Sequence, residues 1–198
     1  MDNDTKEFPA YLESSEVIDW QEDAVKQQAA ALAVDDPIET AKRCFEFVRD
    51  EIAHSVDINA ESLTCKASEV LSLGHGYCYA KSHLLAALLR ANGIPAGFDY
   101  QRLDDGEGHF MMHGFNAVYL AEFGWYRLDA RGNKPGVNAQ FNPPQEQLAW
   151  PNDAPGEIDY HLNLSEPLPQ VVKALRQPLT VQQLWSMLPA QVESESGG

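Results

Sequence analysis

Basic side chains are scarce in this chain. Lys and Arg number 14 against 30 Asp and Glu, for a formal net charge of -16. A surface of that sign repels phosphate backbones and anionic lipid, which argues against nucleic acid and membrane surfaces as partners. Long apolar runs are missing too: no stretch reaches the roughly 18 apolar residues of a membrane helix. The opening "MDNDTKEFPAYLESSE" has no basic region followed by an apolar run, so a signal peptide is not expected there. Cysteine is reduced to Cys44, Cys65 and Cys78. So odd and small a number leaves at least one thiol free and points to reduced thiols in a cytoplasm. Internal repeats and long low-complexity tracts are absent.

What is present is a globular composition: 198 residues, 44% of them hydrophobic, enough for one domain with a sizeable core. Residues 1 to 18 read as a loosely held lead-in. "DWQEDAVKQQAAALAV" reads as a helix capped by Asp19, with Glu22 completing a capping box. In the next helix, "DPIETAKRCFEFVRDEIAHS", Asp36 caps, Pro37 takes the first turn, and Ile38, Ala41, Phe45, Val48 and Ile52 share one face. After an irregular stretch over 54 to 66, "KASEVLSLG" suggests a short helix stopped by Gly74. A strong helix then runs from Tyr77 or Cys78 to about Asn92 and stops at Gly93.

The pattern then changes to strands. "IPAGFDYQRL" enters one through Pro95; "FMMHGFNAVYL" and "WYRLDA" alternate and form a hairpin across "AEFG". Helices first and strands afterwards make an α+β fold. The stretch "NKPGVNAQFNPPQEQLAWPNDAPGE" reads as a wrapping segment without regular structure. Short helices are expected in "PLPQVVKALRQ" and in "TVQQLWSML", where Thr180 and Gln183 form a capping box and Pro189 ends the helix. The tail "ESESGG" is expected to be disordered. The resulting division is a lead-in (1–18), a catalytic core (19–133) and a C-terminal wrap (134–198).

One cysteine stands out by position. In "GHGYCYAKSHLLAALL", Cys78 follows a glycine elbow and opens a helix. A thiol becomes a nucleophile when it loses its proton, and a helix N-terminus favours the thiolate while its free N–H groups can meet a developing oxyanion. A nucleophile needs a base, and the base an orienting group. Of the six histidines, His113 alone lies inside an alternating strand. If the hairpin loop is Ala121 to Phe123, Leu120 faces Gly124, and His113 and Asp129 become diagonal neighbours on one face. A slip of one residue would send them to opposite faces.

Cysteine on a helix start, histidine on a strand and aspartate on the next strand: this order resembles the transglutaminase-like superfamily of papain-type cysteine enzymes. The resemblance runs from about residue 37 to 133, through "CFEFVRDEIAHSVD", "KASEVLSLGHGYCYAKSHLLAALLRANGIPAGF", "HGFNAVYL" and "GWYRLDARGN". It implies a papain-like fold, with Cys78 as nucleophile, His113 as base and acid, and Asp129 as orienter. The implied reaction is acyl transfer or amide hydrolysis on a peptide, protein or small amide, with no cofactor. Family members often carry Ala-Trp after the histidine, proline after the aspartate and an acidic-containing run after the cysteine. Here those places hold Gly114 and Phe115, Ala130, and Tyr79, Ala80 and Lys81.

Plainer readings stand beside this one. Cys44 and Cys65 read as buried filler. His113 by itself would be an ordinary strand histidine and Asp129 a turn residue; only their combination with Cys78 makes chemistry. The four tryptophans, Trp150 among them, read as packing. A non-catalytic binding module on the same fold remains open, since function lives in the site and not in the fold. A zinc site from Cys65, His75, Cys78 and His83 has the right ligand types at a spacing that matches no common structural pattern; no metal is expected.

Overall fold

The computed structural model describes residues 8–177, 180–185 and 190–192. Its first helix, α1 (Asp23–Leu32), starts later than the capping pattern suggested. Glu22 occupies the cap position and makes no side-chain cap bond. Asp19 caps a different helix: its carboxylate accepts from the backbone N–H of Ser68 (3.0 Å) and from the Ser68 hydroxyl, at the start of α3 (Ala67–Leu73). The same acceptor serves either purpose, and the tertiary fold chose the partner 49 residues away.

Helix α2 (Pro37–Glu51) follows its punctuation. Asp36 accepts from Ile38 N at 2.9 Å, Pro37 sits in the first turn, and Ala41, Phe45 and Val48 are fully buried. Two-residue strands β1 (Ala53–His54) and β2 (His75–Gly76) pair in parallel on either side of α3, with His54 opposite Gly76. Gly74 stops α3 in the left-handed region at φ 69°, where glycine carries no steric penalty.

Helix α4 (Cys78–Ala91) is buried from Cys78 to Arg90, with α1, α2 and α3 on one side and the sheet on the other. A helix in that position needs apolar residues all round. Leu84, Leu85, Leu88 and Leu89 supply them, each contributing about 1.5–3 kcal/mol of burial. Several of its polar side chains are bonded to backbone carbonyls. Ser82 donates to Cys78 O (2.8 Å), Arg90 donates to Ala96 O, and the Lys81 ammonium donates to Ile52 O at the end of α2.

The sheet has the order β5-β4-β3-β8, all antiparallel: β3 (Ala96–Asp104), β4 (Phe110–Leu120), β5 (Gly124–Leu128) and the short β8 (Ile158–Asp159). Leu120 pairs with Gly124, the register expected from the three-residue link. The stretch after residue 132 is more regular than its composition suggests. It contains a small hairpin, β6 (Gln140–Asn142) with β7 (Gln145–Gln147), before returning to the sheet edge as β8. The Gln147 side-chain amide donates to Asn138 O (2.7 Å) and helps hold that hairpin, a bond that Pro, Gly and Asn content does not reveal.

Two short helices, α5 (Pro169–Leu175) and α6 (Val181–Trp185), complete the described chain. At α6, Thr180 and Gln183 exchange the two capping-box bonds, N to Oε1 at 2.9 Å and N to Oγ1 at 3.3 Å. Pro189 and the tail 193–198 lie outside the described residues. Among the described residues no helix is long and apolar enough to cross a membrane.

Candidate active site

Cys78 is the first residue of α4. The turn that delivers it is tight: a Cβ on Gly76 would come within 3.2 Å of Lys81 N and 3.3 Å of the Ala80 side chain. Cys78 lines a cleft of about 380 Å³ and is itself only 4% exposed. His113 and Met112 of β4 contribute the sheet wall of that cleft, and His54, Tyr77, Arg131, Trp150 and Pro151 also line it.

His113 and Asp129 meet inside this wall. Nε2 of His113 lies 2.7 Å from Asp129 Oδ2, and both side chains are almost wholly buried. The β4–β5 register, continued one step past Leu128, puts the two residues on one face as diagonal neighbours. Asp129 is held by two further hydrogen bonds: its Oδ1 accepts from Arg131 N (3.0 Å) and its Oδ2 from Ala149 N (3.1 Å). The indole of Trp150 stands edge-on to the His113 ring. With Nε2 engaged, Nδ1 is the ring nitrogen left for Cys78.

The electrostatics follow from this enclosure. Burial of the His113 ring works to lower its pKa. The Asp129 carboxylate and the Cys78 sulfur outweigh burial and push it up to about 10. Burial would raise Asp129; His113 and the two backbone N–H donors reverse that and hold it below the ordinary carboxylate value. A buried charge pair of this kind is stable only when its remaining lone pairs are bonded, as they are here.

The other two thiols differ. Burial pushes Cys44 up to about 12, and burial also raises Cys65, with the Arg176 side chain opposing. Neither lines the cleft. The four residues considered for zinc do not gather. His75 Nδ1 bonds Ser55 Oγ, His83 Nδ1 bonds Cys65 O, and among the described residues the clusters with ligand geometry lie elsewhere.

A sequence profile of the transglutaminase-like superfamily matches residues 26–130, more than half of the chain. The chain belongs to the transglutaminase-like superfamily. Comparison with curated proteins found no match. Among solved structures, a cysteine-protease candidate from Cytophaga hutchinsonii superposes with a TM-score of 0.53 at 16% identity, over 66% of this chain and 43% of that one. The periplasmic domain of TgpA from Pseudomonas aeruginosa gives a TM-score of 0.47 at 18% identity, over 66% and 48%. The chain thus spans less than half the length of either structure. The likeness to the Cytophaga protein is one of fold, and it agrees with the mixed helix-and-antiparallel-sheet architecture of the superfamily.

Within that superfamily fold, two departures from the usual pattern explain each other. A Cβ at Gly114 would stand 2.6 Å from Tyr79 Cδ1. The large ring after the cysteine therefore requires glycine after the histidine. The third departure, Lys81, reaches the carbonyls at the C-terminal end of α2, where a cation or an N–H donor is favoured by the helix dipole.

Two cleft residues escaped the sequence reading. Trp150 comes from the segment read as an unstructured wrap, 21 residues past Asp129, and no local pattern ties it to the histidine. His54 stands at the end of a two-residue strand, too short for alternation to register. Its only signal was membership of the histidine set.

Proposed function

We propose that this transglutaminase-like protein is a cysteine-dependent hydrolase of amides or peptides, working through a thioester. The observation that carries this reading is the buried His113–Asp129 pair at 2.7 Å beside the cleft that His113 and Cys78 both line. His113 takes the Sγ proton through Nδ1 while Asp129 fixes the ring and balances its charge. The sulfur attacks the carbonyl carbon, forming the S–C bond and moving the C=O π electrons onto oxygen. Collapse breaks the C–N bond, and the amine leaves with the proton from His113. Water then attacks the thioester, giving its proton to His113, and Cys78 departs as thiolate to recover it.

The backbone N–H of Cys78, at the start of α4, is available to the oxyanion. Hydrolysis is preferred over amine transfer because nothing among the described residues points to a dedicated amine site. The substrate is a peptide, protein or small amide. A cytoplasmic setting accords with three cysteines that form no disulfide.

The test is a panel of amide and peptide substrates assayed with wild type and Cys78→Ala. Turnover that disappears with the thiol, together with a thioester-linked mass adduct trapped by acid quench, supports the reading. If no substrate or activated ester acylates Cys78, the fold serves as a binding module instead.

A further inference from the structure

His54 is a second histidine in the same cleft, and it is built differently from His113. It ends β1, hydrogen-bonded into register with Gly76, two residues before Cys78. The neighbouring bond from Ser55 N to Gly76 O (3.0 Å) locks that pairing. Its ring packs against Tyr77 with centres 5.0 Å apart, and it is 7% exposed, on the cleft side. The backbone N–H of Val56 points at Nδ1 from 3.4 Å. An N–H aimed at Nδ1 makes that atom the acceptor and leaves the proton on Nε2. Nε2 has no partner among the described residues.

We infer that His54 is a further catalytic residue: its Nε2–H donates a hydrogen bond to the carbonyl oxygen of the acyl group as Cys78 attacks it. The inference rests on the acyl-transfer reading of Cys78 above and adds to it the side-chain half of the oxyanion site. In this step the S–C bond forms and the C=O π electrons collect on oxygen. The Nε2 proton is shared with that oxygen and is not transferred. When the intermediate collapses, the electrons return to the carbonyl and the leaving group departs.

The surroundings suit the assignment. Burial, with the positive charges of Arg131 and Lys81 and with His113 nearby, drives His54 well below the ordinary 6.5, Asp57 alone opposing. An uncharged imidazole can stabilise an oxyanion without competing for the His113 proton. Two histidines whose environments push them in opposite directions divide the work of proton transfer and oxyanion stabilisation. Of the other residues near the cysteine, His75 is engaged with Ser55 and does not line the cleft.

The experiment compares two reactions of the same thiol. Acetylation of Cys78 by p-nitrophenyl acetate builds an oxyanion; alkylation by iodoacetamide does not. His54→Phe keeps a planar ring against Tyr77 and removes the donor; His54→Gln keeps an N–H in reach. Expected for His54→Phe is acetylation slowed about 10²–10³-fold, the usual loss for one such donor, with alkylation within about two-fold of wild type. His54→Gln should recover most of the acetylation rate. The inference is overturned if His54→Phe acetylates like wild type, if alkylation falls in step with acetylation, or if His54→Gln is as slow as His54→Phe. Wild-type Cys78 reacting with both probes no faster than free cysteine would be a failure of the acyl-transfer reading itself, and this inference would fall with it.

Discussion

The indole of Trp150 stands edge-on to the imidazole of His113, ring centres 4.8 Å apart and planes at 84°. The residue before it, Ala149, donates its N–H to the carboxylate that holds the same imidazole. One short piece of chain therefore both orients Asp129 and packs against the imidazole of the buried His113–Asp129 bond. The Arg131 guanidinium lies over the same indole, 5.5 Å from its centre.

Trp150→Ala is expected to open this bond to water and weaken it. Iodoacetamide labelling of Cys78 at neutral pH should slow by about ten-fold, because hydrogen bonds strengthened by a dry site lose that advantage on solvation. The indole is only partly buried, so the loss of stability should stay below the 3–5 kcal/mol typical of a fully buried Trp→Ala change. Labelling at the wild-type rate would remove the indole from the mechanism.

The charge pair makes a signed prediction about pH. His113 has a raised pKa, so the stability it lends is complete below 6.5. That contribution shrinks as pH rises from 6.5 towards about 10 and is gone above it. Asp129 is depressed, so its contribution is present above the ordinary carboxylate range and lost in acid. The gap in melting temperature between wild type and Asp129→Asn should therefore peak near pH 5–6 and narrow towards pH 10. A gap that widens with pH would contradict the pairing.

Gly114 and Tyr79 should behave as one unit. Gly114→Ala puts a Cβ against the Tyr79 ring and is expected to cost about 1–3 kcal/mol by overpacking. Combined with Tyr79→Leu, the same change should cost less than the sum of the two single variants. Urea unfolding of the four proteins in a double-mutant cycle measures the coupling, and additive costs would mean the two positions are independent.

The three thiols should separate cleanly under a disulfide reagent. In the folded protein one thiol, Cys78, is expected to react with dithiobis-nitrobenzoate on the time scale of minutes. Cys44 and Cys65, both raised by burial, should react only on unfolding. Folded Cys78→Ala taking up a full equivalent of reagent would show that another thiol is accessible.

Much of this was legible from the chain. The helix starts at Asp36 and Cys78, the stops at Gly74 and Gly93, and the β4–β5 register follow from signals carried within a few residues. The register mattered most: period-two alternation and a three-residue link were enough to place positions 113 and 129 on one face. Asp19 shows the limit of such signals. It is a good capping residue in front of a helix, and the fold uses it on α3 because that helix start is brought against it in space.

The amino-acid pattern was enough for the order and type of the main elements, for the superfamily and for the shared face of positions 113 and 129, because hydrophobic period and turn chemistry are local. What surrounds these positions came from the three-dimensional packing. Trp150 and Ala149 arrive from beyond the hairpin, His54 from before α3, and Tyr79 is matched to Gly114 across a helix–sheet contact. Those relationships depend on close approach between segments far apart along the chain. Packing at van der Waals distance sets them, and no local pattern encodes it.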